Sequence, residues 1–406
     1  MNVLFLTMND FKSVNESGIY TDLLRYIKKQ GHDVTVVTPI EKKYGKETSL
    51  AVENGVNVIR AKTGNLFNVG LVTKLISRFM LRFCYSRALS KYLKNKKIDL
   101  VLYTTPPTTL APVVKIVKKK YGCVSYLMLK DIFPQNAVDL GMIKAGSIPH
   151  LVLRKFEKNL YEVSDWIGCM SPANVKFLLE HNSFIDPSHV EVAPNSIEVV
   201  EDKRTPEQIK EERNAIRQKY GLPLDKPVFI YGGNLGKPQG IPFLIECLGA
   251  LKERADFHIV IAGGGTEFGK IQDWIVAIKP QNVSLYNNLP KEDYETLAFN
   301  CDVGLIFLDH RFTIPNYPSR ILSYLNARMP VVAATDPNSD IGKIAEGNGF
   351  GYWCESDDVC AFCSCVDKML ATDIRKMGEN GYKFLLENYQ VKNTYNAIMK
   401  HMGGVN

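Results

Sequence analysis

A chain of 406 residues is longer than one hydrophobic core usually serves, so two domains are expected. Its 45% hydrophobic and 23% charged residues are ordinary for a globular enzyme, and no apolar run reaches the ~18 residues of a transmembrane helix. The net charge of +7 favours anionic partners such as nucleotides, phospholipid surfaces or polyphosphates without choosing among them.

The chain runs from Met1 straight into a strand, without a basic leader, and its nine cysteines follow no regular spacing. Free thiols in a reducing compartment are expected. Residues 3–8 read as a short apolar strand, followed by a polar loop over 9–18. A helix comes next, with Tyr20, Leu23, Leu24 and Ile27 on one face and Gly31 closing it. Strand 34–37 completes a βαβ unit. The loop is too poor in glycine for a G-x-G-x-x-G fingerprint. Gly18 reads either as a plain loop glycine or as a point where a backbone N–H meets a phosphate.

After a strand at 56–61, residues 66–94 change character. Lys74, Arg78, Arg82, Arg87, Lys91 and Lys94 stand among Leu71, Leu75, Ile76, Phe79, Met80, Phe83 and Tyr85. A basic, aromatic, amphipathic helix of this type lies on anionic membrane surfaces, and it also packs on sheets with its basic face solvated. Strand 99–103, a helix ending in Lys115, Lys118, Lys119 and Lys120, and strand 125–129 follow. The last opens into Lys130-Asp131-Ile132-Phe133-Pro134-Gln135-Asn136-Ala137. A cation, a carboxylate and an amide thus meet at a strand's carboxyl end, where doubly wound sheets bind ligands. The plainer reading is a helix-capping Asp131 beside an exposed Lys130. Strands 166–170 and 190–192 complete the first sheet.

Residues 198–219, including Glu201, Asp202 and Lys203, are dense in charge and show no apolar period. They read as the domain boundary and a surface helix. Strand 228–231 starts a second βαβ series, and its loop, 232–240, holds Gly232, Gly233, Gly236 and Gly240 with Lys237 before a helix. Such a loop wraps oxyanions with backbone N–H groups, although no Walker G-K-[ST] is present. Strand 258–262 ends in Gly263-Gly264-Gly265, and strand 283–286 in Asn287-Asn288.

Strand 302–308 leads through Pro315-Asn316-Tyr317-Pro318 to Ser319, a candidate helix N-cap. The helix carries Ile321, Leu322, Tyr324 and Leu325, Pro330 ends it, and strand 331–334 follows. Its N-terminus at a strand's carboxyl end suits a phosphate. Arg320 in the first turn opposes the helix dipole by roughly 0.3–1 kcal/mol, which an anionic ligand would offset. A solvated surface arginine is the alternative. A short strand at 349–353, a helix at 357–371 and two helical segments within 382–401 close the chain. Cys354, Cys360, Cys363 and Cys365 lack the second pair or histidine of a structural zinc site. No H-E-x-x-H, D-x-D or G-x-S-x-G occurs at the places that would support a metal site or a serine hydrolase. No metal, cofactor or nucleic-acid partner is expected.

Four stretches, in order, resemble the family 4 glycosyltransferases. Gly31-His32-Asp33-Val34-Thr35-Val36 is similar to the family's G-H-x-V-T-V. Residues 130–137 resemble R-D-L-W-P-E-S-A. Tyr231-Gly232-Gly233-Asn234-Leu235-Gly236, with Gln239-Gly240, resembles Y-A-G-N-I-G-x-x-Q-G. Pro318-Ser319-Arg320-Ile321-Leu322-Ser323-Tyr324-Leu325 resembles P-S-K-L-F-E-Y-M. The resemblance spans nearly the whole chain and is greatest to bacterial capsule and O-antigen transferases, including the fucosaminyltransferase type.

It implies an α/β protein of the GT-B fold: two Rossmann-like, doubly wound parallel-sheet domains facing a cleft. The implied division is 1–197 for the acceptor, 198–385 for the nucleotide-sugar, and 386–406 as a C-terminal helix returning to the first domain. The implied reaction is a retaining sugar transfer from a nucleotide diphosphosugar, without metal. The donor expected is a UDP-sugar, an N-acetylated hexosamine among the candidates. The expected acceptor is a lipid-linked saccharide in surface polysaccharide synthesis. Without a metal, a GT-B site must neutralise the leaving diphosphate with helix N-termini and cations. On that basis Pro318, Ser319 and Arg320 take the diphosphate, with Lys237 and Gly18, while Asn234, Gly264 and Ser323 complete the donor site. Lys130 and Asp131 fall where the reacting sugar is expected. A lysine near pKa 10 is a poor base, so Lys130 is assigned an electrostatic role. Pro315 and Ser323 stand where many members carry glutamates, and Asn234 and Gln239 where they carry arginine and lysine. A GT-B nucleotide-sugar epimerase and a non-catalytic nucleotide-sugar binder are the alternative functions. The expected location is cytoplasmic, peripheral on the inner face of the membrane through residues 66–94.

Overall fold

The computed structural model describes residues 1–67, 69–94, 96–200 and 204–403. The chain forms two compact units: Met1–Glu198 with the C-terminal stretch from Gln390, and Val199–Tyr389. The charged residues Glu201, Asp202 and Lys203 lie outside the described residues.

The first unit is built on an eight-stranded sheet, numbered in chain order: β1 (Asn2–Leu6), β2 (Asp33–Glu41), β3 (Ser49–Glu53), β4 (Val56–Thr63), β5 (Leu100–Thr104), β6 (Val124–Leu129), β7 (Trp166–Cys169) and β8 (Val190–Val192). The spatial order is β3-β4-β2-β1-β5-β6-β7-β8. All neighbours are parallel except β3, which forms an antiparallel hairpin with β4. The inner strands β1, β5 and β6 are nearly continuous apolar runs because helices cover both faces of a parallel sheet. The order in which strands are added reverses beside β1, which has β2 on one side and β5 on the other.

The tail belongs to this unit. The Val391–Met399 helix packs on the Ile19–Lys29 helix, where the Tyr26 and Tyr395 rings meet at 5.3 Å. His401 stacks on Trp166 at 3.5 Å, and Ile398 and Met402 join the core. The return begins at Gln390 rather than 386, because the preceding helix runs unbroken over Ile374–Asn388. A boundary at 385 would cut that helix at the buried Leu385.

The second unit has a six-stranded, all-parallel sheet: β9 (Val228–Asn234), β10 (His258–Gly264), β11 (Val283–Asn287), β12 (Val303–Phe307), β13 (Val331–Thr335) and β14 (Gly351–Glu355). Its order is β11-β10-β9-β12-β13-β14, so the switch in direction falls between β9 and β12. The charged Pro206–Lys219 helix is not held by its surface alone. Arg217 is fully buried: Nη2 donates to Asp302 Oδ2 at 2.6 Å, Nε to the Asn300 carbonyl at 2.9 Å, and Nη1 to the Pro223 and Lys226 carbonyls. An ion pair, not an apolar stripe, anchors this helix, so no apolar period marks it in the sequence.

Candidate active site

In the second unit the candidate site forms at the β9/β12 switch, where an open α/β sheet leaves a crevice outside its strand ends. β9 carries the chain through Gly232 and Gly233 to Asn234, and a single 3₁₀ turn, Lys237–Gln239, precedes the Ile241–Leu251 helix. Gly233 has φ 109°, a conformation open to glycine. A β-carbon on Gly264 would lie 2.1 Å from Asn288 Oδ1, so the Asn288 side chain would have to move to admit one. Gln239 closes the loop, its Oε1 accepting from Asn234 Nδ2 at 2.9 Å and from the Gly236 N–H at 3.1 Å. Asn234 and Gln239 thus form a neutral amide clasp where the family usually places cations. Lys237 is exposed.

Arg320 is the centre of this region and is not a solvated surface arginine. Its guanidinium lies over the Tyr231 ring at 4.3 Å, and its Nη1 is buried without a hydrogen-bond partner. A β-carbon on Gly233 would lie 3.8 Å from Nη2. Burial opposes the charge, but the tyrosine oxygens of Tyr231 and Tyr324 hold the guanidinium above its usual value. Tyr324 packs one turn along the helix, accepting from the Gly232 N–H at 3.1 Å and donating to the Leu305 carbonyl at 3.2 Å. The Tyr294 hydroxyl leaves no room for a β-carbon on Gly232. The result is a charged donor fixed in a tyrosine cage with part of its hydrogen-bonding capacity unused.

The helix itself contributes less than expected. It spans only Arg320–Asn326, and Ser319 at its N-cap has helical φ/ψ with no side-chain capping bond. Arg328, at φ 54°, follows its end before Pro330 is reached. Less than two turns carry little dipole, so anion affinity here rests on Arg320 and the glycine-rich loop. Pro318 and Ser323 are half-buried on either side of Arg320, and Pro315 is buried.

In the first unit, β6 delivers Lys130 and Asp131. Both backbone N–H groups point to Thr105 Oγ1, at 3.0 and 3.3 Å. Lys130 is not an exposed lysine: it is half-buried, and its Nζ donates to the Ala193 carbonyl at 3.1 Å. Burial lowers its pKa to about 7, so the ordinary value near 10 does not apply. Asp131 does not cap a helix; the Gln135–Asp139 helix has Pro134 at its N-cap. Its two oxygens accept from Asn136 Nδ2 at 2.8 and 2.9 Å. Burial raises its pKa to about 6, against the opposing pull of the Asn136 hydrogen bond and of Arg78. Arg78, half-buried on the Leu71–Tyr92 helix, faces this carboxylate with its Nε buried and unpartnered, and burial lowers its pKa. Sequence reading gave Arg78 to a basic outer face, since periodicity cannot tell a rim position from an inward one.

Gly18 is a correction. Its N–H donates to Asp22 Oδ1 at 3.0 Å, and Asp22 is fully buried, also accepting from Arg25 and from the Glu198 N–H. That amide is engaged and not free for a phosphate. Tyr231, Tyr294 and Tyr324 escaped the sequence reading as site residues; the one available signal was the spacing of Arg320 and Tyr324, one turn apart. Among the described residues no three His, Cys, Asp or Glu side chains are grouped to hold a metal, and no helix is long and apolar enough to cross a membrane.

Comparison with known proteins assigns both units. Residues 19–201 match the Glycosyltransferase Family 4 profile. Residues 212–384 match the profile of Glycosyl transferases group 1. The chain is a GT-B glycosyltransferase. It is 22% identical over 377 residues to the probable glycosyltransferase WbjE of Pseudomonas aeruginosa, covering 92% of this chain and 91% of that one. It is 19% identical over 362 residues to WcaI of Escherichia coli strain K12, named for glycosyl transfer in colanic acid biosynthesis, over 85% and 86% of the two chains. The structure of Anabaena HepE in complex with UDP superimposes with a TM-score of 0.68 at 14% identity, covering the whole of both chains. The glycosyltransferase's two sheets are thus those of its fold family, and its tyrosine-caged arginine lies in the group 1 half.

Proposed function

We propose that the enzyme transfers a sugar, with retention, from a UDP-sugar to a lipid-linked saccharide during surface polysaccharide synthesis at the inner face of the cell membrane. An N-acetylated hexosamine is the donor sugar to test first. The observation that carries this reading is Arg320: a half-buried arginine whose Nη1 is buried without an acceptor, beside a glycine-rich strand end, is a ready partner for a diphosphate. Arg320 with the Pro318–Ser319 backbone holds the leaving diphosphate, with Lys237 at the rim. Asn234, Gly264 and Ser323 border the rest of the nucleotide-sugar. Lys130 in its ammonium form stabilises the charge developing at the reacting sugar, and Asp131 positions the acceptor. The UDP named with HepE and the colanic acid pathway named with WcaI support the donor class and the polysaccharide context.

The test is incubation with a panel of UDP- and GDP-sugars, with and without lipid-linked saccharide acceptors. Nucleotide release that depends on acceptor, with a product of unchanged anomeric configuration by NMR, is the expected result. Inversion overturns the stereochemical reading. Interconversion of the free donor points instead to an epimerase, and binding without turnover on every acceptor to a non-catalytic binder.

A further inference from the structure

Two helices of the first unit leave apolar side chains in water that the core does not use. The Leu71–Tyr92 helix buries Ser77, Leu81, Tyr85 and Ala88, and Tyr85 is tied to the sheet by its hydroxyl donating to the Thr7 carbonyl at 2.6 Å. Its opposite side exposes Leu75, Ile76, Phe79, Met80 and Phe83, each at least 40% accessible. The spacing of these five makes one continuous stripe. The Ile148–Val163 helix does the same at its start: Ile148 is 79% exposed, Leu151 58% and Val152 46%. Phe79 and Phe156 meet with ring centroids 6.4 Å apart, joining the two stripes into one face. Scattered exposed apolar residues need no explanation, but a contiguous patch of this size does.

The charge around the patch has one sign. No aspartate or glutamate occurs between residues 54 and 98, nor between 140 and 156. Arg87, Lys91, Lys144 and Lys155 are exposed. Arg82 lies over both Phe79 and Phe83, at 4.1 and 4.6 Å, its stem on the rings. A second copy of the same basic face would be repelled, whereas an anionic bilayer satisfies both the apolar stripe and the cations.

We propose that the two helices together form a docking surface for the leaflet of an anionic membrane, Ile148, Leu151 and Val152 entering beside the stripe of the first helix. This deepens the membrane-peripheral reading above and rests on it for the location of the acceptor. It also adds a second helix to a role that the sequence assigned to residues 66–94 alone.

The experiment is flotation of the full chain with phosphatidylcholine vesicles, with and without about one-third phosphatidylglycerol. Binding only to the anionic vesicles, lost in high salt, is expected. Ile148→Ser/Val152→Ser should weaken it by roughly tenfold or more while changing the melting temperature little, since Ile148 is mostly and Val152 about half exposed. Arg87→Ser/Lys91→Ser should weaken it by about tenfold and flatten its salt dependence. Equal binding to both vesicles, or none, overturns the proposal, as does unchanged binding by the Ile148/Val152 variant. A wild-type dimer in light scattering that Ile76→Glu dissociates would make the face a protein interface instead. Flotation needs no turnover, so failure of every donor sugar would sink the proposed reaction and leave this result standing.

Discussion

Two arginines of the second unit, Arg217 sealed from water and Arg320 half-buried, are partnered in opposite ways. Arg217 is sealed from water with Nε, Nη1 and Nη2 all hydrogen-bonded, to Asp302 and three carbonyls. Arg320 has an aromatic face on Tyr231 and a buried Nη1 with no acceptor. A buried cation that is fully paired holds a fold together. One held in place by tyrosines with a donor unused costs the fold something and awaits an anion. Lys130 in the first unit stands between them: one hydrogen bond to Ala193, and a charge that burial has made conditional.

The contrast can be broken by substitution. Arg217→Met removes the fully buried partner of Asp302, which keeps Arg213 and the Val228 N–H, and takes the donor from three carbonyls, so it should destabilise the second unit by about 3 kcal/mol in denaturant unfolding. UDP affinity of the remaining folded protein should be unchanged; a loss of affinity at intact stability would give Arg217 a part in binding the nucleotide. Lys130→Met should lower kcat by about 10²-fold, the scale of losing one donor to developing charge. In the wild type, activity should fall as pH rises through about 7, where the ammonium is lost, and Lys130→Arg should flatten that limb. A profile unchanged by Lys130→Arg would assign the limb elsewhere. Arg320→Ala should weaken UDP binding about tenfold or more by calorimetry, the scale of a hydrogen bond to a charged group, with little effect on stability. Unchanged affinity would remove the diphosphate assignment.

Stability should respond to Lys130 as well. Lys130 titrates near 10.5 when unfolded and near 7 in the fold. Below pH 7 both states are charged and the fold carries the whole cost of a buried ammonium; between 7 and 10.5 the folded state loses its proton first and the cost fades. Lys130→Met should therefore raise the melting temperature at pH 6, by about 2–4 °C for each kcal/mol removed, and lose that advantage towards pH 10. A gain that grew with pH would contradict the burial of this ammonium.

The sequence alone determined the repeating strand–helix order and the loops at strand carboxyl ends, but not the edge strand β3, which pairs antiparallel with β4. Apolar runs of strand length and glycines after them are local properties, written in consecutive residues. The Lys130–Asp131 and Arg320 positions were legible for the same reason, since each directly follows a strand or opens a helix. What only the tertiary structure decided is which polar groups are already engaged. The Gly18 N–H is taken by Asp22, and Gln239 clasps Asn234. Arg78 turns toward Asp131 while its neighbours Phe79 and Met80 face water. Partners of this kind lie across sheets and helices, 92 residues apart for Gly232 and Tyr324 and 176 for Asp22 and Glu198. Burial, which moves Lys130 to about 7 and cages Arg320, is a property of everything packed around a residue and not of its neighbours in the chain.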